Sequence, residues 1–422
     1  MRTALLSTAV PDPHSGSGAA ITLALIATAL TDRGHDVTIC PLVYPEYVTP
    51  SGAGHELQVQ TGISLGYELH PVQSQAWSDR PVDRSAAARV RRAWRPEMAE
   101  LYPQAHDAEQ VGRAIQRLVP DAVLVYGFAA LAASVGIRLP RFAATSDPPE
   151  EALSARTLGR WRRRPNPLRI GREAVHLQAA VRAHRRLAVE LLRDCEAVGA
   201  FGAQHADALR RAGVFCGYYR TPIADPGPPA APPENERPRL LLVGHLQGTA
   251  TLDGLRVFEA MLPRLERMLG RDGFEARIVG GYQPPPAVQA LLEHPSVSFA
   301  GFVDDVDAEF RLADVLVVPV SIRLGVRVRI LTGFAHGCCI VTHQANAQGI
   351  PELAHGQNAL LGWNASELAS LVGCALQDAD LATRLRRGAR ETYERFFTPA
   401  VTGAALADTL ERIAGTRLRG EP

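Results

Sequence analysis

Residues 313–343 read ADVLVVPVSIRLGVRVRILTGFAHGCCIVTH and contain an apolar run, a polar loop with one glycine, a helix-length segment and a second apolar run. The apolar runs at 315–319 and 340–342 have the length and the β-branched composition of buried strands. Strand, helix and strand in this order form a βαβ unit with parallel strands. The stretch therefore predicts part of a doubly wound α/β sheet.

The same alternation extends in both directions along the chain. Further strands are predicted at residues 3–10, 36–42, 121–126, 141–145, 197–201, 239–243, 276–279 and 297–300, and helices at 19–30, 169–193 and 204–212. A chain of 422 residues is longer than one hydrophobic core usually organises, which favours two domains. Tandem sheets of this kind usually bind ligand outside the carboxyl ends of their strands, so we expect a site in a cleft between two Rossmann-like domains.

Proline content gives the clearest domain boundary. Seven prolines lie between residues 221 and 238 and indicate a semi-rigid linker. The prediction is a first domain at 1–225, a linker at 226–237, a second domain at 238–395 and a final segment at 396–422. That last segment carries a helical apolar stripe.

Composition excludes several classes of protein. The formal net charge is +1, so no global field draws the chain to nucleic acid, and the arginine-rich stretches 80–95 and 156–172 are interpreted as solvated helices. The first ten residues lack a signal peptide's apolar core, and no apolar run reaches the ~20 residues that span a bilayer. We expect a cytoplasmic protein without stable membrane insertion; the oligomeric state is left open. The six cysteines lack zinc-site spacing and are expected to be buried thiols.

Several blocks carry a resemblance to a known family. Besides 313–342 they are Leu241-Leu242-Val243-Gly244, Val279-Gly280-Gly281, Gly301-Phe302-Val303-Asp304-Asp305-Val306 and Gly349-Ile350-Pro351-Glu352-Leu353. In order and spacing they resemble the C-terminal domain of family-4 retaining glycosyltransferases, over residues 240–397. The resemblance implies a GT-B fold with an N-terminal acceptor-binding domain, a C-terminal nucleotide-sugar-binding domain and a last helix that returns to the first domain. It also implies transfer to a small-molecule or glycan-precursor acceptor with retention, and neither metal nor cofactor.

The resemblance also assigns site residues. It implies that Arg327 and Arg329 stabilise the leaving diphosphate and that Asp147 faces the acceptor or the donor sugar. The implied donor site comprises Gly16, Ser17, Gly18, Gly244, His245, Phe302, Val303, Arg323, Gly325, Thr332 and Glu352. The residues themselves leave plainer interpretations open. The Gly16/Gly18 loop is equally suited to a tight turn, Asp147 to a cap before two prolines, and Glu352 to a predicted helix start.

Departures from the family pattern limit the prediction of activity. Leu324 and Thr332 stand where the family has two glutamates, and His245 stands where relatives have arginine. A hydroxyl accepts a hydrogen bond less strongly than a carboxylate does, which weakens the expected contact with the nucleotide ribose. Two alternatives therefore stay open: a GT-B-fold binding or regulatory protein without turnover, and a sugar-nucleotide epimerase. Residues 51–95 and 154–172 are expected to select the acceptor, whose identity, like that of the donor, is not predicted.

Overall fold

A computed structural model describes most of the chain in two compact units. The described residues are 1–14, 18–43, 55–74, 85, 96–148, 150–151, 153–155, 157–158, 167–231, 234–281, 283–323 and 325–418. Unit 1 consists of Met1–Pro222 and Thr402–Pro422, and unit 2 of Ile223–Val401. The chain therefore passes from one unit to the other twice.

Unit 1 is built on a parallel sheet with the strand order β3-β2-β1-β4-β5-β6-β7. Its strands are β1 (Arg2–Ser7), β2 (Asp36–Val43), β3 (Val72–Gln73), β4 (Ala122–Tyr126), β5 (Arg141–Thr145), β6 (Ala197–Ala200) and β7 (Gly217–Tyr218). Its helices are α1 (Gly18–Asp32), α2 (His55–Ser64), α3 (Met98–Leu101), α4 (Ala108–Leu118), α5 (Phe128–Ala133), α6 (Pro167–Arg193) and α7 (Ala203–Arg211), with a 3-10 helix at Pro103–Asp107.

Both faces of this sheet are buried. Along β1, Ala4 and Leu6 belong to one hydrophobic cluster and Leu5 belongs to another. Successive side chains of a strand point to opposite faces, so this division places apolar packing on each side. The continuous apolar runs in the sequence have this cause, because parallel strands are covered by helices on both faces.

Unit 2 repeats the design with the strand order β10-β9-β8-β11-β12-β13. Its strands are β8 (Arg239–Val243), β9 (Glu275–Val279), β10 (Val297–Gly301), β11 (Val315–Val318), β12 (Ile340–His343) and β13 (Leu360–Gly362). Its helices are α8 (Thr249–Leu269), α9 (Gln289–Leu292), α10 (Val306–Arg311), α11 (Val328–Ala335), α12 (Ala365–Gln377) and α13 (Ala379–Phe396), with 3-10 helices at Pro286–Val288 and Gln344–Gln348.

The order of strands in unit 2 reverses between β8 and β11. From β8 the chain proceeds to β9 on one side, whereas from β11 it proceeds to β12 on the other, and all these pairs are parallel. The crevice outside the carboxyl ends of the two strands at such a reversal is where open α/β sheets bind ligands. This edge of unit 2 is the first place to look for a site.

The last helix, α14 (Pro399–Leu418), begins in unit 2 and continues in unit 1. There Leu406, Leu410 and Ile413 join the same cluster as Leu5. Arg33 pairs with Asp408 at 2.7 Å. The apolar stripe seen in the sequence therefore packs on the face of the unit 1 sheet that α1 also covers.

The predicted fold class, α/β with two doubly wound Rossmann-like sheets, is confirmed. The described strands include three that the sequence did not predict, β3, β7 and β13, all of two or three residues. The expectation of six buried thiols was wrong for two of them. Cys195 is only partly buried, and Cys374 is exposed on α12 because that helix buries its opposite face. Residues of the predicted linker pack with unit 2: Arg390 Nη1 donates to Gly227 O at 3.1 Å, and Asn235 Nδ2 donates to Asp314 Oδ2 at 2.7 Å.

Candidate functional site

The carboxyl end of β8 is the centre of the candidate site in unit 2. A cavity of about 10 Å³ lies there, lined among others by Gly244, Thr251, Pro319 and Arg329. That volume holds about one water molecule, so the cavity is the floor of a site and not a pocket for a whole ligand. The residues around it come from β8, α8, the loop after β11, and α11.

Two glycines bring backbones close together at this edge. Gly244 donates its N–H to Val279 O at 2.9 Å, and a Cβ on Gly280 would collide with the carbonyl oxygen of Gly244. A Cβ on Gly244 would itself lie 2.5 Å from Arg329 Nη1 and 2.6 Å from Thr251 Oγ1. The absence of side chains at these positions therefore leaves room for the Arg329 guanidinium beside β8.

Arg329 is a partly buried cation on the first turn of α11. Its Nη2 donates to Thr251 Oγ1 at 3.1 Å, and among the described residues no carboxylate forms an ion pair with it. Burial lowers the pKa of Arg329 to about 10, and the neighbouring positive charge of Arg327 adds to this. A guanidinium that is removed from water without a carboxylate is stabilised by any anion that reaches it.

Arg327 lies directly before α11 and is 7% exposed. Its Nη2 donates to the carbonyl oxygen of Ile322 at 3.2 Å, which folds the loop after β11 back on itself. Gly325, inside this loop, has a φ of 62°, a left-handed conformation that glycine adopts without strain. The predicted arginines are thus held near one another by the loop that connects β11 to α11.

The N-terminus of α8 adds hydrogen-bond donors to the same edge. Its cap is Gly248, which has no side chain to occupy the free N–H groups of the first turn. The preceding loop contains His245, which is exposed and accepts a hydrogen bond at Nδ1 from Gln247 N at 3.1 Å. When the ring is neutral its proton therefore lies on Nε2. Free N–H groups and the helix dipole favour an anion at this position.

Four other predicted donor residues of unit 2 lie after β10, within α11 and in the loop after β11. Phe302 is 68% exposed after β10 and its ring is near Gly281, whereas Val303 is partly buried against the core. Thr332 uses its hydroxyl hydrogen inside α11, donating to Val328 O at 3.1 Å. The threonine can still accept a hydrogen bond from a ligand. Arg323 is exposed in the loop after β11, and Leu324 lies outside the described residues.

Glu352 does not begin a helix, so that prediction was wrong. It lies in a turn in which Leu353 N donates to Ile350 O at 3.0 Å. The side chain of Asn358 takes the backbone groups that a helix would pair, accepting from Ala354 N at 2.9 Å and donating to Glu352 O at 2.7 Å. The partly buried glutamate is therefore presented by a turn, without a helix dipole beneath it.

The described residues of the predicted site in unit 1, Gly18 and Asp147, lie at the carboxyl edge of that unit's sheet. Gly18 opens α1, while Gly16 and Ser17 are outside the described residues. Asp147 is exposed just after β5. Burial raises the pKa of Tyr126, at the end of β4, to about 12, a hydrogen bond from Thr22 opposes this, and the charge of Asp147 adds to it. Asp147 therefore acts electrostatically on the residues at the end of β4.

Two residues of α8 were not foreseen from the sequence. Thr251 contacts Arg329, as described above, and Asp253 is a buried carboxylate that accepts hydrogen bonds from the loop after β11. These partners are 78 and 68 residues apart along the chain. No local pattern signals such contacts.

Two further observations bear on the kind of site. In the part of the chain that the structure describes, no group of three or more His, Cys, Asp and Glu side chains is placed to hold a metal ion. Likewise, none of the described helices has the length and apolar character needed to cross a bilayer.

Part of the chain matches a known protein family, and nearly the whole chain is similar in fold to solved structures. Residues 237–378 match the family described as Glycosyl transferases group 1. No curated protein matches the chain in sequence. HepE from Anabaena, whose crystal structure contains UDP and glucose, is 15% identical with a TM-score of 0.64, over 97% of this chain and 99% of its own.

Two other solved structures are similar over nearly their whole length. Sucrose-phosphate synthase from Thermosynechococcus elongatus is 13% identical with a TM-score of 0.68, over 98% of this chain and 99% of its own. A glycosyltransferase from Rickettsia africae is 13% identical with a TM-score of 0.66, over 99% of each chain. At these identities the likeness shows the fold. The chain therefore has the GT-B fold, and its residues 237–378 match the group 1 glycosyltransferase family.

Proposed function

We propose that the protein transfers a sugar from a nucleotide-sugar donor to an acceptor, and that unit 2 binds the donor's diphosphate at the carboxyl end of β8. The observation that carries the proposal is Arg329, a desolvated guanidinium without a carboxylate partner among the described residues, beside the free N–H groups of α8. A diphosphate carries the charge that such a position lacks. The match of residues 237–378 to the group 1 glycosyltransferase family supports the same assignment.

A UDP-sugar is the first donor to consider, because the structurally similar HepE binds UDP and UDP-glucose in its crystal structures. Gly244, His245 and Gly325 would contact the phosphates or the sugar from their loops. Phe302 and Val303, after β10, would lie nearer the base. Glu352 and the free lone pairs of Thr332 would serve the sugar and the ribose.

The chemistry of transfer needs stabilisation of the leaving group. The bond between the anomeric carbon and the phosphate oxygen breaks while the acceptor oxygen forms a bond to the same carbon, and the acceptor's proton passes to the leaving phosphate. Arg327 and Arg329 would stabilise the negative charge that develops on the diphosphate, and they do so in a site that already excludes much of the water. These two cations make a metal-independent reaction chemically reasonable.

The acceptor belongs, in this proposal, to unit 1, where Asp147 would contact its hydroxyl groups or the donor sugar. A small molecule or a glycan precursor suits a site formed by exposed loops on a rigid sheet. We further propose retention of configuration at the anomeric carbon, as the family resemblance implies. The NMR coupling constant of the anomeric proton in the product measures this directly.

Binding of nucleotides tests the proposal. The thermal midpoint of the protein is measured with UDP, GDP, dTDP and CDP, because a ligand that binds only the folded state raises it. We expect a rise with UDP that is lost in the double variant Arg327→Ala, Arg329→Ala. The matched UDP-sugar is then incubated with candidate acceptors with and without EDTA, and released UDP and glycosylated product are measured.

Each alternative has its own result in these assays. Nucleotide binding without donor turnover, under any acceptor, would favour a non-catalytic binding or regulatory protein. Isomerised donor formed in the absence of acceptor would favour an epimerase. No binding of any of the four diphosphates at millimolar concentration would refute the proposed donor site.

A further inference from the structure

Asp253 connects α8 to the loop that follows β11. The residue is on the second turn of α8 and is 8% exposed. Its Oδ2 accepts hydrogen bonds from Ser321 N at 2.7 Å, Ser321 Oγ at 2.9 Å and Ile322 N at 3.2 Å. One carboxylate oxygen therefore fixes two successive residues of the loop.

The close approach of helix and loop depends on the next residue, Gly254. A Cβ at this position would lie 3.0 Å from Cγ2 of Val320. The glycine lets the loop rest directly on the helix, at the distance that the hydrogen bonds of Asp253 require.

Ile322 passes this constraint on to an arginine of the candidate site. Its N–H donates to Asp253, and its carbonyl oxygen accepts from Arg327 Nη2 at 3.2 Å. The backbone N–H and C=O of Ile322 are thus both hydrogen-bonded, the N–H to Asp253 of α8 and the C=O to the Arg327 guanidinium. Thr251, half a turn earlier on α8, holds Arg329 directly at 3.1 Å.

A carboxylate near an anion site would ordinarily weaken anion binding by repulsion. Here the oxygen that could repel is occupied by three donors from the loop. Charge-assisted hydrogen bonds of this kind are stronger than neutral ones and hold a loop in one conformation. Asp253 favours anion binding if the free energy gained from a fixed loop exceeds the repulsion between its charge and the anion.

We propose that Asp253 is a positioning residue of the donor site, which holds the loop after β11 and, through Ile322, sets the place of the Arg327 guanidinium. The inference rests on the proposed function, since it concerns the same diphosphate position. It predicts an effect on ligand affinity that depends on Arg327.

The test is a double-mutant cycle on UDP affinity, measured by calorimetry on the full chain. Asp253→Ala is expected to weaken UDP binding about tenfold or more, since loss of orientation at such sites has effects of this size or larger. Asp253→Asn is expected to stay within about threefold of the wild type, because its amide oxygen can accept the same three bonds. Asp272→Ala, an exposed aspartate of unit 2, is the matched control and should have no effect.

The decisive comparison uses the Arg327→Ala background. If Asp253 acts through Arg327, Asp253→Ala should cause no further loss there. A residue that only stabilised the fold would weaken binding equally in both backgrounds, and that result would overturn the inference. If Asp253→Ala does not fold, Asp253→Ser, which keeps one acceptor, replaces it in the same cycle.

Where transfer is detected, kinetics give a second criterion. Asp253→Ala should raise KM for the donor and lower kcat, and Asp253→Asn should restore most of both. A wild type that binds UDP and an Asp253→Ala variant that binds it equally well would refute this inference alone. A wild type that binds no nucleoside diphosphate would refute the proposed function and the inference with it.

Discussion

Replacing Arg329 by methionine should make the free protein more stable and make it bind UDP less well. Methionine keeps the unbranched apolar stem of the side chain, is shorter than arginine and removes the charge. The opposite signs of the two effects follow from one observation: the guanidinium is partly buried and has no carboxylate partner among the described residues. A cation in that state costs free energy until a ligand supplies the anion.

The magnitude of the stability change follows from the burial of Arg329, and that of the affinity change from the usual strength of charge-assisted hydrogen bonds. The difference between the ordinary pKa of 12.5 and the value of about 10 for Arg329 corresponds to roughly 3 kcal/mol of unfavourable free energy for the charged form. Partial exposure and the lost hydrogen bond to Thr251 reduce the net gain in Arg329→Met to about 1 kcal/mol. In a unit of this size, that gain raises the thermal midpoint by about 2–4 °C. Loss of charge-assisted hydrogen bonds to the diphosphate should weaken UDP binding by about 10- to 100-fold.

Thermal unfolding without ligand and calorimetry with UDP measure the two quantities on the same preparation. Arg387→Met is the matched control, since that arginine of α13 is 72% exposed and pairs with Glu391. It should change neither quantity appreciably. Arg329→Lys should bind UDP with intermediate affinity, because it keeps the charge and loses the planar fork. A lower midpoint in Arg329→Met together with unchanged UDP affinity would refute the reasoning.

Three further changes test other parts of the structure. Gly244→Ala should abolish the thermal shift with UDP, because the new Cβ would lie 2.5 Å from Arg329 Nη1; an unchanged shift would contradict the proposed close approach. Burial raises the pKa of Glu150, so the contribution of this carboxyl to stability falls as pH rises through its folded pKa. Glu150→Gln should therefore raise the thermal midpoint at pH 7 but not at pH 4. Equal changes of the midpoint at both pH values would contradict a raised pKa. Gly403→Val on α14 should overpack against Ala29 and lower the free energy of unfolding by about 1–3 kcal/mol, and with it the thermal midpoint. Gly415→Val, whose new side chain enters open space, should lower the free energy of unfolding by less.

The sequence predicts the long buried strands well. The bounds of β5 and β8, Arg141–Thr145 and Arg239–Val243, were predicted exactly, because in each case a polar or proline residue precedes a short apolar run. The strands β3, β7 and β13 were missed since two or three residues carry no periodicity. Their pairing is decided by the neighbouring strand and not by their own composition.

The candidate site was predictable only in part. The positions of Gly244 and Arg329 followed from resemblance, yet their contact through Thr251 is tertiary and leaves no trace in the local sequence. Asp253 looks like an ordinary polar residue of an amphipathic helix. The prediction that Glu352 begins a helix failed for a related reason. Glycine and proline before a glutamate are typical of a helix start, but the side chain of Asn358 competes for the same backbone groups.

The path of α14 has a consequence for the order in which the protein acquires its structure. A ribosome makes the chain from its first residue onward, so every residue of unit 2 is synthesised before Leu406, Leu410 and Ile413 exist. Until then the hydrophobic cluster that contains Leu5 of β1 and Leu30 of α1 lacks its final cover. The unit that begins the chain is therefore the last to be completed. A chain that ends at residue 401, once released from the ribosome, should contain a finished second unit and an apolar surface on the first that chaperones recognise.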